Sequence, residues 1–292
     1  MKNFIIVGAA GYIAPKHLDA IKKTKNNLLA AFDVAENVGY IDSYFPNSKF
    51  FFNLNSFKNF IVTNKKKIHY LVICAPNYLH YYYIKLGIKY NLNIICEKPL
   101  VLNLNKLNKL KKINKNYQKK IFCILQLRLN KNLRKIKDKI KNKKNLVAKV
   151  EYITFRGDWF FKSWKGNLKK SGGLAINIGI HLFDILWWFF GDVKKIVVKK
   201  RDMKKVSGTI YFKKNNLVNW NISLLKDDLK KFKTKNSFYR LLEIDNKKIE
   251  FSDKFKELHL ESYKMILKNK GFNLLDAEPS IKICDKINNY KI

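Results

Sequence analysis

The first 125 residues alternate between short apolar runs and longer segments with helical periodicity. Short uninterrupted apolar runs are typical of parallel strands that are buried on both faces. The alternation therefore predicts an α/β fold with a doubly wound parallel sheet. The predicted strands lie near residues 3–8, 28–33, 70–74, 93–97 and 120–125.

From about Leu146 onward the apolar positions form longer strand-like segments with fewer helices between them. This change predicts an α+β domain with a mainly antiparallel, open sheet. A helix near 171–190 leads into that sheet, and helices near 254–269 and 277–289 close the chain. The predicted domains are residues 1–125 and residues 126–292. The predicted strands of the second domain are Leu146–Gly157, Lys195–Val198, Gly208–Phe212, Leu217–Leu224 and Ser237–Phe251.

A turn of small residues, Gly8–Ala14, follows the first apolar run and opens a helix. Backbone N–H groups in such a turn can approach a diphosphate, which the helix N-terminus also attracts. The second run ends in Asp33, about where a dinucleotide site places an acid for the ribose hydroxyls, and an acid there disfavours NADP. The G-x-x-G-x-x-A spacing is one residue longer than the usual pattern. We predict an NAD-binding Rossmann domain with cofactor contacts at Gly8, Ala10, Gly11, Tyr12, Ile13 and Asp33.

Polar residues also follow two later strands of the predicted sheet. One run is stopped by Pro76, and Asn77 is suited to cap the next helix, with His80 in its first turn. Ordinary strand termination with a helix cap is the alternative interpretation of this segment. Ligands bind outside the carboxyl ends of strands in open α/β sheets. We therefore predict further cofactor contacts at Ala75, Pro76, Asn77, His80, Glu97 and Lys98.

Lys98 follows the apolar run Ile94–Cys96 and precedes Pro99. Burial of an unpaired ammonium costs several kcal/mol or shifts its pKa, so the amine must leave the core. Pro99 restricts the backbone at Lys98 and gives the amine a defined direction. A strand that simply exits to solvent is the alternative interpretation.

Three polar residues, Asn177, His181 and Asp184, stand at i, i+4 and i+7 in the apolar segment near 171–190. This spacing predicts one shared face of a helix. A lone histidine on such a helix is usually a core residue, but the two polar neighbours favour a site. Asp184 is expected to orient the His181 ring or the surrounding hydrogen bonds.

The net charge of +38 suggests nucleic acid as a partner, but the composition argues against it. Only five of the 60 basic residues are arginine, the residue best suited to grip base edges and phosphates. The lysines are spread along the whole chain, as in a general compositional drift. We predict no specific nucleic-acid partner, although weak binding to polyanions at low salt is expected.

The apolar segment from Leu174 to Gly191 also resembles a membrane span, but its Asn, His and Asp side chains are costly in hydrocarbon. We interpret it as a buried helix and expect a cytoplasmic protein with no membrane partner. The cysteines show no metal-ligand spacing, so no metal is predicted.

Taken together, these motifs resemble those of the Gfo/Idh/MocA oxidoreductase family over essentially the whole chain. More narrowly, the chain is similar to the UDP-N-acetylglucosaminuronate 3-dehydrogenase branch, which serves surface-polysaccharide (O-antigen) synthesis. The segments that carry this likeness are Gly8–Pro15, Cys96–Leu102, Leu125–Leu129, Ser163–Gly166 and Asn177. The resemblance implies NAD-dependent oxidation of the sugar 3-hydroxyl to a ketone, bound NAD reoxidised by 2-oxoglutarate, and a homotetramer.

The resemblance and the chemistry together assign roles to the site residues. His181 is the expected base, since its ordinary pKa is near neutrality. Lys98 would stabilise charge on the oxygen, and Asn177 would orient the substrate. Glu97 is expected to contact the cofactor ribose or to fix Lys98, and Gln126 is expected to contact the cofactor. The UDP-sugar acid is expected to be bound by Arg156, Trp164 and Lys165. A different sugar or inositol dehydrogenase and a non-catalytic polyanion binder remain the alternatives.

Overall fold

The structure, a computed structural model, describes residues 1–232, 234–251 and 257–291. The chain divides into two compact units. Unit 1 comprises Met1–Val101, Asn105–Gln126 and Lys256–Ala277, and unit 2 comprises Leu102–Leu104, Leu127–Phe255 and Glu278–Ile292.

Unit 1 is built on a six-stranded parallel sheet with the strand order β3-β2-β1-β4-β5-β6. The order reverses between β1 and β4, so the ends of these two strands flank a crevice of the type that binds ligands. The strands are β1 Asn3–Val7, β2 Asn27–Phe32, β3 Lys49–Phe51, β4 Tyr70–Ile73, β5 Asn93–Cys96 and β6 Ile121–Cys123. The helices that accompany them are α1 Ala14–Lys23, α2 Leu54–Asn64, α3 His80–Lys89 and α4 Leu104–Asn114. The predicted doubly wound sheet is confirmed, and β3 is a strand beyond those predicted.

The described residues of 256–277 belong to unit 1, whereas the sequence division assigns them to the second domain. Helix α11, Leu258–Leu267, packs against α1. Tyr263 is fully buried in the core of unit 1, with its ring centroid 5.9 Å from that of Phe4. This burial explains why the chain returns to unit 1. The first residues of the predicted helix 254–269 lie outside the described residues.

Unit 2 contains a six-stranded mixed sheet with the order β12-β11-β7-β10-β9-β8. Only the β7–β10 pair is parallel among the pairs described, which confirms the mainly antiparallel prediction. The strands are β7 Val147–Thr154, β8 Val193–Arg201, β9 Lys205–Phe212, β10 Leu217–Ser223, β11 Phe238–Ile244 and β12 Lys247–Glu250. The predicted strand Ser237–Phe251 is thus a hairpin, which turns at Asp245 and Asn246, both with positive φ.

Besides α11, the helices after residue 130 in the described part of the chain are mostly short. They are α5 Lys131–Ile140, α6 Asp158–Lys162, α7 Leu168–Ser171, α8 Gly173–Asn177, α9 Ile180–Phe190, α10 Lys226–Lys230 and α12 Leu274–Asn288. The stretch Leu168–Phe190 is apolar and long enough to cross a membrane, but 72% of its most apolar window is buried inside the protein. This burial agrees with the predicted buried segment.

Candidate active site

The turn after β1 has a backbone that only glycine adopts easily at its first position. Gly8 has a φ of +79°, and a Cβ there would lie 2.3 Å from the backbone nitrogen of Ala75. Helix α1 begins directly after the turn, at Ala14. The close approach of β1 and β4 therefore sets a tight turn directly before a helix N-terminus, the end of a helix that attracts a diphosphate.

Asp33 follows β2 and holds this turn from the side. One carboxylate oxygen accepts a hydrogen bond from the Ala10 backbone N–H at 2.8 Å, and the other accepts from the Ala35 backbone N–H at 3.0 Å. The predicted ribose-binding acid therefore lies beside the predicted diphosphate turn. Its contact with the cofactor stays a prediction.

Two buried polar atoms in unit 1 fit a site that binds a polar cofactor. The Tyr40 hydroxyl and Gln126 Oε1 are buried and have no hydrogen-bond partner within the described ranges. Burial, together with nearby Cys74 and Asp33, raises the pKa of Tyr40 to about 12. Gln126 is among the predicted cofactor contacts, whereas Tyr40, in the short 3₁₀ helix Gly39–Ile41, belongs to no sequence motif.

His80 links the ends of β4 and β5. It is the first residue of α3, as predicted, and its ring nitrogens lie 2.8 Å from the Ala75 carbonyl oxygen and 2.7 Å from that of Pro99. Burial lowers the pKa of His80, and the two carbonyls oppose this shift. The His80 ring therefore lies between the two strand-end loops that carry Pro76 and Lys98, and in its neutral form it donates to one of the two carbonyl oxygens.

The prediction that Asn77 caps the next helix is wrong. Asn77 is buried and begins a short 3₁₀ turn, Asn77–Leu79, and the N-cap residue of α3 is Leu79. Pro76 has a φ of −55°, which suits the start of this extra turn. The predicted cofactor contact of Asn77 is a separate expectation and stays a prediction.

Glu97 lies in the interior of unit 1, only 5% exposed. Its Oε1 is 2.9 Å from His17 Nε2 and 2.9 Å from His259 Nε2, and its Oε2 is 3.2 Å from the Lys98 backbone nitrogen. Burial raises the pKa of Glu97, but the two imidazoles outweigh this effect and hold it well below its usual value. These surroundings favour the expectation that Glu97 fixes Lys98 over a contact with the cofactor ribose.

The partners of Glu97 were not predicted as functional residues. His17 lies on the buried face of α1, and neither His259 nor Tyr263 belongs to a sequence motif. His17 Nδ1 is 2.8 Å from the Tyr263 hydroxyl. Burial lowers the pKa of His17, against the opposing effect of Glu97.

In unit 2, the prediction of a single helix near 171–190 is wrong, because the segment is divided among α7, α8 and α9. Gly172 and Gly173 have φ values of +82° and +78°, which separate α7 from α8. A second break falls at Ile178 and Gly179, where the Gly179 N–H bonds to the Leu174 carbonyl five residues back.

The break at Gly179 changes how the three polar residues of this segment are held. Asn177 ends α8, whereas His181 and Asp184 lie in α9, so they do not share one helix face. Asn177 and Asp184 are buried, and His181 is partly exposed. Their predicted roles stay predictions.

Asp184 has a structural partner that the sequence did not indicate. Arg128 grips both carboxylate oxygens, with Nη2 at 2.6 Å from one and Nε at 3.0 Å from the other. Both side chains are 3% exposed, and the guanidinium also lies 5.3 Å from the Trp187 ring. This bidentate pair fixes α9 within unit 2.

We expect Arg128→Met to destabilise the protein by about 3–5 kcal/mol, because the Asp184 carboxylate would remain buried without its partner. Chemical unfolding of the purified protein measures the loss. The double variant Arg128→Met/Asp184→Leu should recover much of the stability, since it removes both charges. A loss below about 1 kcal/mol in Arg128→Met would contradict a stabilising pair.

The predicted substrate-binding residues lie in and beside the loop after β7. Arg156 is half-buried, and its guanidinium donates to the Phe155 carbonyl at 3.2 Å. The Lys165 ammonium lies 4.8 Å from the Trp164 ring centroid and 5.3 Å from that of Trp159. The structure thus brings Trp164 and Lys165 together, with exposed Trp159 as a neighbour that was not predicted.

Comparison with solved structures gives close relatives. Two structures of the WlbA (WbpB) dehydrogenase from Thermus thermophilus, one with NAD and UDP-GlcNAcA and one with NAD and alpha-ketoglutarate, match with a TM-score of 0.94 and 34% identity. Each match covers 100% of this chain and 96% of the other. The myo-inositol 2-dehydrogenase from Lactobacillus plantarum matches with a TM-score of 0.78 over 98% of this chain and 96% of its own, but at 16% identity it shows the fold alone.

A curated relative is more distant. The glucose-6-phosphate 3-dehydrogenase of Bacillus subtilis is 27% identical over 205 residues, or 65% of this chain. The match spans 54% of that protein, about half of its length.

The family profiles cover both halves of the chain. Residues 2–124 match the NAD-binding Rossmann domain, and residues 137–249 match the C-terminal alpha/beta domain. The predicted family resemblance and the NAD cofactor are confirmed. The chain belongs to the Gfo/Idh/MocA oxidoreductase family.

Proposed function

We propose that this protein oxidises the 3-hydroxyl of UDP-2-acetamido-2-deoxy-glucuronate to the 3-keto sugar, with NAD as the hydride acceptor. The observation that carries the proposal is the full-length match to the Thermus thermophilus enzyme solved with NAD and UDP-GlcNAcA, at 34% identity. A pathway for surface-polysaccharide sugars such as those of O-antigen would use the product, in the cytoplasm.

The residues of unit 1 fit NAD. The glycine turn leads into the N-terminus of α1 and is held by Asp33, and two buried polar atoms, on Tyr40 and Gln126, have no hydrogen-bond partner among the described residues. NAD supplies the hydride acceptor for oxidation of a secondary alcohol. The protein must therefore remove the hydroxyl proton and stabilise the negative charge that develops on oxygen.

We assign these tasks to Lys98 and His181. The His181 imidazole would accept the hydroxyl proton, a contribution of about 10²–10⁴-fold for a positioned base. The Lys98 ammonium would stabilise the oxygen as it loses its proton. Asn177 would hold the sugar by hydrogen bonds, and Asp184, paired with Arg128, would fix the helix that carries His181.

The substrate carries a diphosphate and a carboxylate, which suit cationic partners. Arg156 follows β7, Lys165 lies between α6 and α7, and the Trp164 ring is next to the Lys165 ammonium, which supports a cationic and aromatic binding surface. We propose these three residues as contacts of the UDP-sugar acid. We further propose that the protein acts as a homotetramer.

We also propose 2-oxoglutarate as the second substrate. The Thermus thermophilus enzyme was solved with NAD and alpha-ketoglutarate, the same compound. Hydride taken from sugar C3 would pass through the cofactor to the ketone carbon of 2-oxoglutarate, whose oxygen gains a proton. The products are the 3-keto sugar and 2-hydroxyglutarate, so the cofactor returns to its oxidised form.

The test is turnover by the purified protein. UDP-N-acetylglucosaminuronate and 2-oxoglutarate together should give equal amounts of keto sugar and 2-hydroxyglutarate, and His181→Ala should lose this activity while keeping bound NAD(H). Turnover of free myo-inositol without turnover of the nucleotide sugar would replace the proposed substrate. Absence of bound or bindable NAD would contradict an enzymatic function.

A further inference from the structure

The group around Glu97 is a continuous set of hydrogen bonds with consistent donors and acceptors. An ionised carboxylate only accepts, so His17 and His259 must both present Nε2–H to it. A neutral His17 then has an unprotonated Nδ1, which accepts from the Tyr263 hydroxyl at 2.8 Å. The remaining oxygen of Glu97 accepts from the Lys98 backbone N–H at 3.2 Å.

Burial makes the loss of any of these hydrogen bonds costly. His17 is 0% exposed, and Glu97 and His259 are each 5% exposed. A buried carboxylate that loses a donor is left partly unsatisfied, and such a group is far more costly than in water. The two imidazole donors come from α1 and α11, so residues distant in sequence fix one carboxylate oxygen, Oε1.

We propose that His17, His259 and Tyr263 form a buried clamp that holds Glu97 as an ionised acceptor, so that Glu97 fixes the main chain at Lys98. Helix α11, which carries His259 and Tyr263, therefore helps to position the reactive amine of Lys98. His259 is a positioning residue. This inference rests on the proposed role of Lys98.

The same three side chains could hold a metal ion, since their ligand atoms lie within 4.8 Å of one another. The geometry favours hydrogen bonds. Both imidazole nitrogens lie 2.9 Å from the same oxygen, the ordinary N–H···O separation. Direct imidazole–carboxylate contacts would have to give way for an ion to bind between them.

A pair of variants at His259 tests the clamp in the full-length protein. His259→Gln keeps an N–H donor, whereas His259→Leu has a similar size and no donor. The Leu variant should lose at least tenfold in kcat with unchanged KM for the nucleotide sugar and unchanged bound NAD(H). The Gln variant should stay within threefold of the parent protein.

Unchanged kcat in His259→Leu would overturn the proposal, and so would an equal loss in both variants, which would indicate a merely structural role. If His259→Leu fails to fold, Tyr263→Phe replaces it, because it removes only the hydroxyl donor to His17. This variant should lose at least threefold in kcat at constant KM, and unchanged kcat would again overturn the clamp.

Two measurements do not depend on the substrate. Two-bond ¹H–¹⁵N spectra of the parent protein should show a proton on Nε2 of both His17 and His259, and an unprotonated Nε2 on either ring would overturn the clamp. Metal analysis should find less than stoichiometric metal in the purified protein, and one bound ion per chain at this group would overturn it. Failure to turn over the UDP-sugar acid would count against the proposed function alone.

Discussion

Lys98→Met should lower kcat about 10³-fold, because the variant keeps an unbranched side chain of similar length and loses the ammonium that stabilises the developing oxyanion. The Glu97 carboxylate and the His80 ring fix the main chain on either side of this residue. NAD should still bind, since the predicted diphosphate turn and Asp33 are untouched. Steady-state turnover and the absorbance of bound NAD(H) measure the two quantities separately.

Lys66→Met is the matched control for this prediction. Lys66 is an exposed residue of unit 1 and lies in the turn that follows α2. The substitution removes the same charge from the same unit, so kcat should stay within about twofold. If Lys98→Met retained a third or more of the parent kcat, the assigned role of the amine would be wrong.

The core strands of both sheets were predictable because each is marked by an apolar pattern within a few consecutive residues. Four of the six strands of unit 1 are short apolar runs whose central residues are fully buried, and each run is bounded by a polar or turn-forming residue. Strand β3 was missed because Lys49–Phe51 is three residues long and only partly buried, so it has no distinctive pattern. The hairpin turn was missed although Asp245 and Asn246 are residue types that tolerate the positive φ of a turn.

The residues around the site were predicted where a motif marks a strand end, and missed where the partner is distant. His259 lies 162 residues from Glu97, and Arg128 lies 56 residues from Asp184. A carboxylate that is predicted to be buried must have a hydrogen-bond donor, but the sequence does not identify that donor. Tertiary packing alone brings α11 to α1 and so decides the partner.

Helical spacing gave a wrong interpretation of Asn177, His181 and Asp184 for a definite reason. Periodicity assumes a regular backbone, and Gly172, Gly173 and Gly179 interrupt it. A Cβ at Gly179 would lie 2.6 Å from the Ala175 carbonyl oxygen and equally close to Ile222. The glycine is thus required by close packing, and the break that it permits sets His181 on a different helix from Asn177.

Gly8→Ala should weaken NAD binding at least 100-fold. An L-residue at a φ of +79° is strained by roughly 1–2 kcal/mol. The added Cβ would also lie 2.5 Å from the Cys74 carbonyl carbon and 2.6 Å from Ala75 Cα. Because these are backbone atoms, the turn or the end of β4 must move, and the N-terminus of α1, which we assign to the diphosphate, is displaced.

Two control variants separate binding from stability. Gly39→Ala adds a Cβ that meets nothing within 4 Å, so NAD affinity and the unfolding midpoint should both stay unchanged. Gly87→Ala places its Cβ 2.7 Å from the Ile94 side chain, which should lower stability without moving the turn. Isothermal titration with NAD gives the affinities. If Gly8→Ala bound NAD within threefold of the parent protein, or if Gly87→Ala lost NAD to the same extent, the turn after β1 would not be the diphosphate site.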